Sequence, residues 1–141
     1  MLKRLYISNF ALIGEMDVSF PGGLTVITGE TGAGKSIFLE ALGLVLGNRA
    51  DLTTLRNKTK KCIVEAEFQD SEEALKPFFT EHDLDYESTL ILRREINADG
   101  KSRSFLNDSA VTLNTLKDLS EFLIDIHSQH QTMLLNAADF Q

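Results

Sequence analysis

Residues 29–36, Gly29-Glu30-Thr31-Gly32-Ala33-Gly34-Lys35-Ser36, fit the pattern G-x-x-x-x-G-K-[ST] at every defined position. A loop of this kind bridges a strand to a helix, so it dictates what must lie on either side. Ahead of it, Leu24-Thr25-Val26-Ile27-Thr28 is a short apolar, β-branched run that reads as a buried strand. Behind it, Ile37 to Leu46 is an apolar stretch of helical length. Gly47 closes that stretch and suits the left-handed backbone that ends many helices. Strand, glycine loop and helix together predict a layered α/β domain.

The residue types then specify a chemistry. Gly29, Gly32 and Gly34 permit backbone angles and close approaches that a Cβ would block. The loop can therefore wrap a phosphate with its N–H groups, at a helix N-terminus whose dipole also favours anions. In such a loop Lys35 would reach the β- and γ-phosphates and the Ser36 hydroxyl would be a Mg²⁺ ligand. The bland alternative is a glycine-rich turn that happens to end in Lys-Ser; the two correct flanks argue against it. A nucleoside triphosphate is the expected ligand.

Composition narrows the setting. The chain has 141 residues, enough for one domain with a core of its own. No apolar stretch approaches the roughly eighteen residues of a membrane span, and Met1-Leu2-Lys3-Arg4-Leu5 is too short an apolar run for a signal peptide. A single cysteine, Cys62, excludes an internal disulfide and fits a reducing cytosol, so a cytoplasmic protein is expected. The net charge of −7 argues against a nucleic-acid footprint over the whole domain. Charge is unevenly spread, however. Arg49, Arg56, Lys58, Lys60 and Lys61 cluster between Gly47 and Lys61, while the stretch from Glu65 to Glu87 is acidic with Lys76 its only base. Phosphate contact by the basic stretch and two ordinary solvated surfaces are both open readings.

Periodicity supplies the remaining elements. Residues 2–10 read as a first strand and Met16, Val18 and Phe20 as the buried positions of a second, followed by a Pro21-Gly22-Gly23 turn. The helix from Ser36 is apolar on nearly every side, as expected at the centre of a layered domain. Cys62 to Phe68 alternates as a half-exposed strand, and a short helix is expected from Ser71 to Phe79. Thr89 to Ile96 and Ser102 to Leu106 are strand-like runs joined by the hairpin signal Asn97-Ala98-Asp99-Gly100. Leu113, Leu116, Leu119 and Leu123 recur at helical spacing behind Thr112, a suitable N-cap, and Phe122 to Ile126 reads as a further strand. No repeat or Pro-rich linker divides the chain.

Taken together, these elements resemble the N-terminal end of the RecN family, bacterial double-strand-break repair ATPases on the SMC-like branch of ABC ATPases. The resemblance rests on Asn9-Phe10-Ala11-Leu12-Ile13, on the loop from Thr28 to Ser36, and on Ala41-Leu42-Gly43 with Leu46-Gly47-Asn48-Arg49-Ala50-Asp51. Leu92-Arg93-Arg94-Glu95-Ile96, Asp99-Gly100-Lys101-Ser102-Arg103, Asn107 and Asp125-Ile126-His127-Ser128-Gln129-His130 follow in the family's order and spacing. Ser128 departs from it, standing where a glycine is expected. The resemblance implies an α/β fold, a P-loop NTPase of ABC/SMC half-head type, with a mixed β-sheet, an antiparallel β portion and flanking helices.

It also implies a division of labour. Residues 1–141 would be the N-terminal half of an ATPase head, a fragment lacking the coiled coil and the C-terminal half-head. No Leu-Ser-Gly-Gly signature occurs, nor a strand ending in Asp-Glu. Phe122 to His127 comes nearest, but Asp125 has no acid after it and reads as the polar end of a strand rather than a Mg²⁺ ligand. The resemblance assigns ATP and Mg²⁺ as cofactors, with Gly29 to Ser36 binding nucleotide and Lys35 and Ser36 in catalytic roles. It makes Gln129 the glutamine that senses Mg²⁺ and the γ-phosphate, with Gln131 competing for the role. Arg56 matches an arginine near nucleotide and DNA, and a plain surface arginine is the equal alternative. Implied partners are the missing C-terminal half-head, a second head in a homodimer, and DNA ends or single strands. No membrane is implied, and the setting is the bacterial cytoplasm at the nucleoid.

Two rivals remain on the sequence. A self-contained P-loop kinase would need an acceptor site, an arginine-rich lid and its own Mg²⁺-binding acid, none of which is evident. A non-catalytic assembly module would bind nucleotide weakly or not at all. His127 and His130 lack the further ligands of a zinc site, and Cys62 reads as core rather than nucleophile. Arg93, Arg94, Lys101 and Arg103 flank the hairpin, where they read as edge-protecting charges before they read as DNA contacts.

Overall fold

A computed structural model of the chain describes residues 2–20, 32–50, 55–70 and 73–123, with the helix path alone for 32–35. In chain order the elements are β1 (Leu2–Phe10), β2 (Ile13–Ser19), α1 (Gly32–Val45), β3 (Cys62–Gln69), α2 (Lys76–Glu81), β4 (Thr89–Ile96), β5 (Ser102–Leu106), β6 (Ser109–Val111) and α3 (Leu113–Leu123). The strands form one six-stranded sheet in the order β2-β1-β3-β4-β5-β6, antiparallel at every pairing. This is the antiparallel portion expected from the alternating runs; the strand expected at 24–28 lies outside the described residues.

Alternation gives the sheet two unlike faces. Leu5, Ile7, Val64, Ala66, Phe68, Leu90, Leu92, Ile96 and Leu106 all point inward and are buried. Helix α1 lies across this face, against β1, β3 and β4. Each large side chain buried there contributes about 1.5–3 kcal/mol, so the sheet–helix contact dominates stability. The outer face carries a ladder of ions. Arg4 grips Asp17 with two hydrogen bonds of 2.8 and 2.9 Å and reaches Glu65 at 3.4 Å. Arg93 bonds Glu65 at 3.2 Å and Glu95 at 2.7 Å, and Lys61 closes the row on Glu95 at 3.5 Å. Arg93, expected as an edge charge, is thus committed within the sheet.

Local chemistry sets the turns and helix ends. The 97–100 turn closes β4 onto β5 as expected, with Gly100 at φ +91° and its N–H on the Asn97 carbonyl at 3.0 Å. Thr112 caps α3, its Oγ1 accepting the Thr115 N–H at 3.2 Å, and the helix buries Leu116 and Leu119. Phe122 and Leu123 belong to this helix, which corrects the strand expected from Phe122; residues 124–126 lie outside the described part. Helix α2 begins at Lys76 rather than Ser71. The Asp70 carboxylate explains the shift: it accepts the Ala74 and Leu75 N–H groups and the Tyr86 hydroxyl, holding the approach in a turn. Strand β6 was not expected. Its signal was the two-residue turn Asn107-Asp108, where Asn107 takes φ +54° and its side-chain oxygen accepts the Ile91 N–H.

Among the described residues no helix is long and apolar enough to cross a membrane.

Candidate nucleotide-binding site

Helix α1 begins at Gly32, inside the motif, four residues earlier than Ser36. The backbone of Gly32-Ala33-Gly34 therefore forms the first turn, where N–H groups have no partner within the helix. Ser36 follows and is exposed. A first turn of free donors at the positive end of a helix suits an anion. Gly29, Glu30 and Thr31, the side chains of 32–35, and Gln129 lie outside the described residues.

The described part shows how the helix is seated. Phe20, the residue after β2, donates its N–H to the Lys3 carbonyl at 2.8 Å and meets Phe38 of α1 edge-on, ring centres 6.1 Å apart. The chain is thus pinned on both sides of the segment that carries the motif. Sequence reading took Phe20 as a strand residue and did not assign it this second contact. Beyond Phe38, α1 buries Ala41, Leu42, Leu44 and Val45.

The far end of α1 is stopped three ways. Gly47, at φ +112°, donates to the Leu44 carbonyl at 3.2 Å while Asn48 donates to Gly43 at 3.0 Å, the two bonds of a Schellman motif. A Cβ on Gly47 would come within 3.0 Å of the Lys117 backbone nitrogen, so α3 presses against this cap. Finally, Arg94 of β4 lies 1% exposed beneath it. Its Nη1 donates to the carbonyls of Leu44 at 2.7 Å and Asn48 at 2.8 Å, and its Nε and Nη2 donate to Ser102 Oγ at 3.2 and 2.7 Å. A buried cation at a helix C-terminus meets the negative end of the dipole. Burial lowers the Arg94 pKa, and the field of Cys62 opposes this. The edge-guarding role expected of Arg94 is corrected by this burial: its place is the interior.

Arg56 sits elsewhere. Asn9, at φ +57°, accepts the Asn57 N–H at 2.6 Å and donates to the carbonyls of Asn57 and Lys60 at 3.0 Å, which fixes the loop carrying Arg56. Arg56 then donates to the Leu12 carbonyl at 2.6 Å and is exposed at the β1–β2 turn. Cys62 is buried as expected, and burial pushes its thiol up to about 11, which leaves it without nucleophilic character at neutral pH.

The model of the AAA domain family matches residues 4–140. This chain belongs to the AAA domain family. Within this AAA-domain chain the resemblance to RecN extends over the whole sequence. It is 40% identical to the DNA repair protein RecN of Haemophilus influenzae over 145 residues, covering 100% of this chain and 26% of that protein. With RecN of Bacillus subtilis the identity is 40% over 137 residues, 96% of this chain and 24% of the relative. The chain thus spans about a quarter of the length of these relatives. Its fold is that of SMC-type heads. A structure from work on ATP-driven dimerization and DNA-stimulated activation of SMC ATPases superposes with a TM-score of 0.74 at 18% identity, over 95% of this chain and 90% of that one. The SMC head domain of Thermotoga maritima gives 0.63 at 23% identity, over 83% of this AAA-domain chain and 41% of its own. The recombination mediator RecF bound to ATP gives 0.64 at 16%, over 82% and 30%.

Proposed function

We propose that this chain is the ATP·Mg²⁺-binding N-terminal half of a RecN-like head that acts in bacterial DNA double-strand-break repair and recombination, in the cytoplasm at the nucleoid. The observation that carries the reading is the start of α1 at Gly32, which turns the motif's backbone into a cluster of unpartnered donors at the positive end of a helix. In this reading the N–H groups of 29–34 hold the phosphates, Lys35 neutralises the β- and γ-phosphates, and Ser36 and Gln129 hold the cation. Bound Mg²⁺ would offset charge on the phosphate oxygens. The chain's own residues bind and orient; a signature motif and general base come from a C-terminal half-head, with a second head facing the loop. DNA acts on that assembly, and Arg56, exposed at the β1–β2 turn, is the residue proposed to meet phosphate there.

Calorimetric titration with Mg²⁺·ATP, beside Lys35→Ala and a steady-state turnover assay, tests this. Binding is expected to weaken about a hundredfold in Lys35→Ala, the effect of losing about 2.7 kcal/mol of charge-assisted contact. No turnover is expected from the chain alone. Rapid turnover by the isolated chain would overturn the half-head reading, and Lys35-independent binding would overturn the assignment of the loop.

A further inference from the structure

A cavity of about 670 Å³ opens at the C-terminal end of α1, lined by Arg49, Arg94, Ser102, Arg103, Ser104 and Thr112 among others, with no Asp or Glu among the described residues of its wall. We propose that it is a second phosphate-binding site, separate from the loop at 29–36. The 14 residues of α1 put the two about 20 Å apart at 1.5 Å per residue.

Charge is the first argument. Arg94 forms the floor, and its hydrogen bonds go to two carbonyls and one hydroxyl, so no carboxylate among the described residues pairs with it. Arg49 stands exposed at the rim and forms no ion pair among the described residues, while Arg103 lines the cavity from β5 but stands opposite Glu95, so its side chain leaves from the outer face. The arginines of the outer face behave differently: Arg4 and Arg93 are each shared between two carboxylates. Two guanidinium groups, Arg49 and Arg94, with no acid among the described residues of the wall, form a local reversal of the overall field in a chain of net charge −7.

Unused donors are the second argument. Ser104 is 8% exposed, lines the cavity, and its hydroxyl makes no hydrogen bond among the described residues. No buried side-chain polar atom among the described residues lacks a partner, so this hydroxyl is open to the cavity and its proton is available to a ligand there. Ser102 Oγ already accepts twice from Arg94, which leaves its own proton to donate. The wall also includes the start of the 11-residue helix α3. Thr112 Oγ1 caps the Thr115 N–H, while the N–H groups of Leu113 and Asn114 precede the first bond within the helix. Guanidinium forks, hydroxyl donors and a helix N-terminus are the donor set that phosphate oxygens take.

The ligand is a phosphate group, either a small phosphate or a backbone diester. The test follows amide resonances of the full chain carrying Lys35→Ala, which takes the 29–36 loop out of the readout. Inorganic phosphate is titrated first, then a short single-stranded oligonucleotide. Saturable shifts at Ser102, Ser104, Leu113 and Asn114 are expected, weakened at least tenfold by Arg49→Ser and unchanged by Arg103→Ser, whose side chain leaves from the outer face. Both substitutions are on exposed side chains, and an unchanged melting curve verifies the fold; Ser104→Ala gives an independent loss. Shifts with phosphate assign a small ligand, and shifts with the oligonucleotide alone assign a diester. No shift with either, or shifts indifferent to Arg49→Ser, would overturn the site. The proposal does not depend on nucleotide binding at 29–36, which the Lys35 titration tests separately.

Discussion

The two ends of α1 are built by opposite strategies. Its N-terminal end is specified by contiguous residues, 29–36, and could be named from the sequence because motif and helix start coincide within one turn. Its C-terminal end is assembled from four separate places in the chain: Gly47, Arg94 of β4, Ser102 of β5 and Lys117 of α3. A binding loop needs donors that remain free, so nothing else is spent on them. A helix end that fixes the loop's position must instead have its carbonyls fully engaged. The contrast yields an ordering: substitutions at the C-terminal end should act on stability, and reach the proposed binding loop only through the helix.

Arg94→Met should show this most strongly. The substitution conserves apolar bulk but leaves the Leu44 and Asn48 carbonyls without their donor. Charged hydrogen bonds contribute about 1.5–3 kcal/mol each, partly offset by relief of burying an unpaired cation, so a net loss of about 3 kcal/mol is expected. Urea melts read it directly, and Arg94→Lys should recover only part of the loss because an ammonium lacks the planar fork. A loss below about 1 kcal/mol would mean that the Schellman turn and packing hold the helix end unaided.

Gly47→Ala comes next, at about 2 kcal/mol. A left-handed backbone costs an L-residue about 1–2 kcal/mol, and the added Cβ would also press on Lys117, whose backbone nitrogen lies 3.0 Å from it. Thermal melts of Gly47→Ala alone and with Lys117→Gly separate the two contributions. The second substitution relieves only the 2.6 Å approach to the Lys117 side chain, so most of the loss should persist. Full rescue would make side-chain crowding, not backbone strain, the reason for glycine.

The same contrast explains what was legible beforehand. Patterns carried by neighbours in sequence were readable: β1 to β5, the 97–100 hairpin, α1, and Thr112 as the α3 cap all follow from periodicity or a local side-chain bond. Arg94 was not, because adjacent arginines look alike in a string. Only the strand's alternation, once its register is known, sends Arg93 to the ion ladder and Arg94 under α1. The late start of α2 was hidden for a related reason, since Asp70 competes for N–H groups that a helix from Ser71 would have used. Of the proposed nucleotide site, residue types and their order were readable, and the structure adds the helix start and the seat of α1.

A smaller effect tests local capping against this long-range fastening. Thr112→Ala removes the acceptor for the Thr115 N–H and should cost about 1 kcal/mol. Serine at the same position should restore most of it. Because α3 presses on Gly47, hydrogen exchange at the end of α1 should rise in Thr112→Ala. Unchanged exchange there would show that the two helices are fastened independently.

The outer ladder should matter least at neutral pH and most in acid. Arg4 holds the Asp17 carboxyl below its ordinary 3.8. For Glu95, burial pushes the pKa up, but the hydrogen bond from Arg93 and the nearby Arg93 and Lys61 charges outweigh it, leaving the group below 4.5. A carboxylate depressed in the folded state binds fewer protons there than in the unfolded chain, so stability rises with pH across that interval. The ladder's contribution is therefore present above about pH 4.5 and lost as pH falls through the lower folded values. Glu95→Gln should cost no more than about 1 kcal/mol at neutral pH, less in salt, and should flatten the acid limb of the pH–stability curve. Some slope must persist, because Asp70 is also depressed: burial raises it, yet bonds from Leu75, Tyr86 and Ala74 overcome that. An acid limb unchanged from wild type even when Asp17→Asn is combined with Glu95→Gln would assign the pH response to Asp70 and its turn. The outer face would then be a solvated surface whose ion pairs merely accompany the fold, in contrast to the single buried arginine beneath α1.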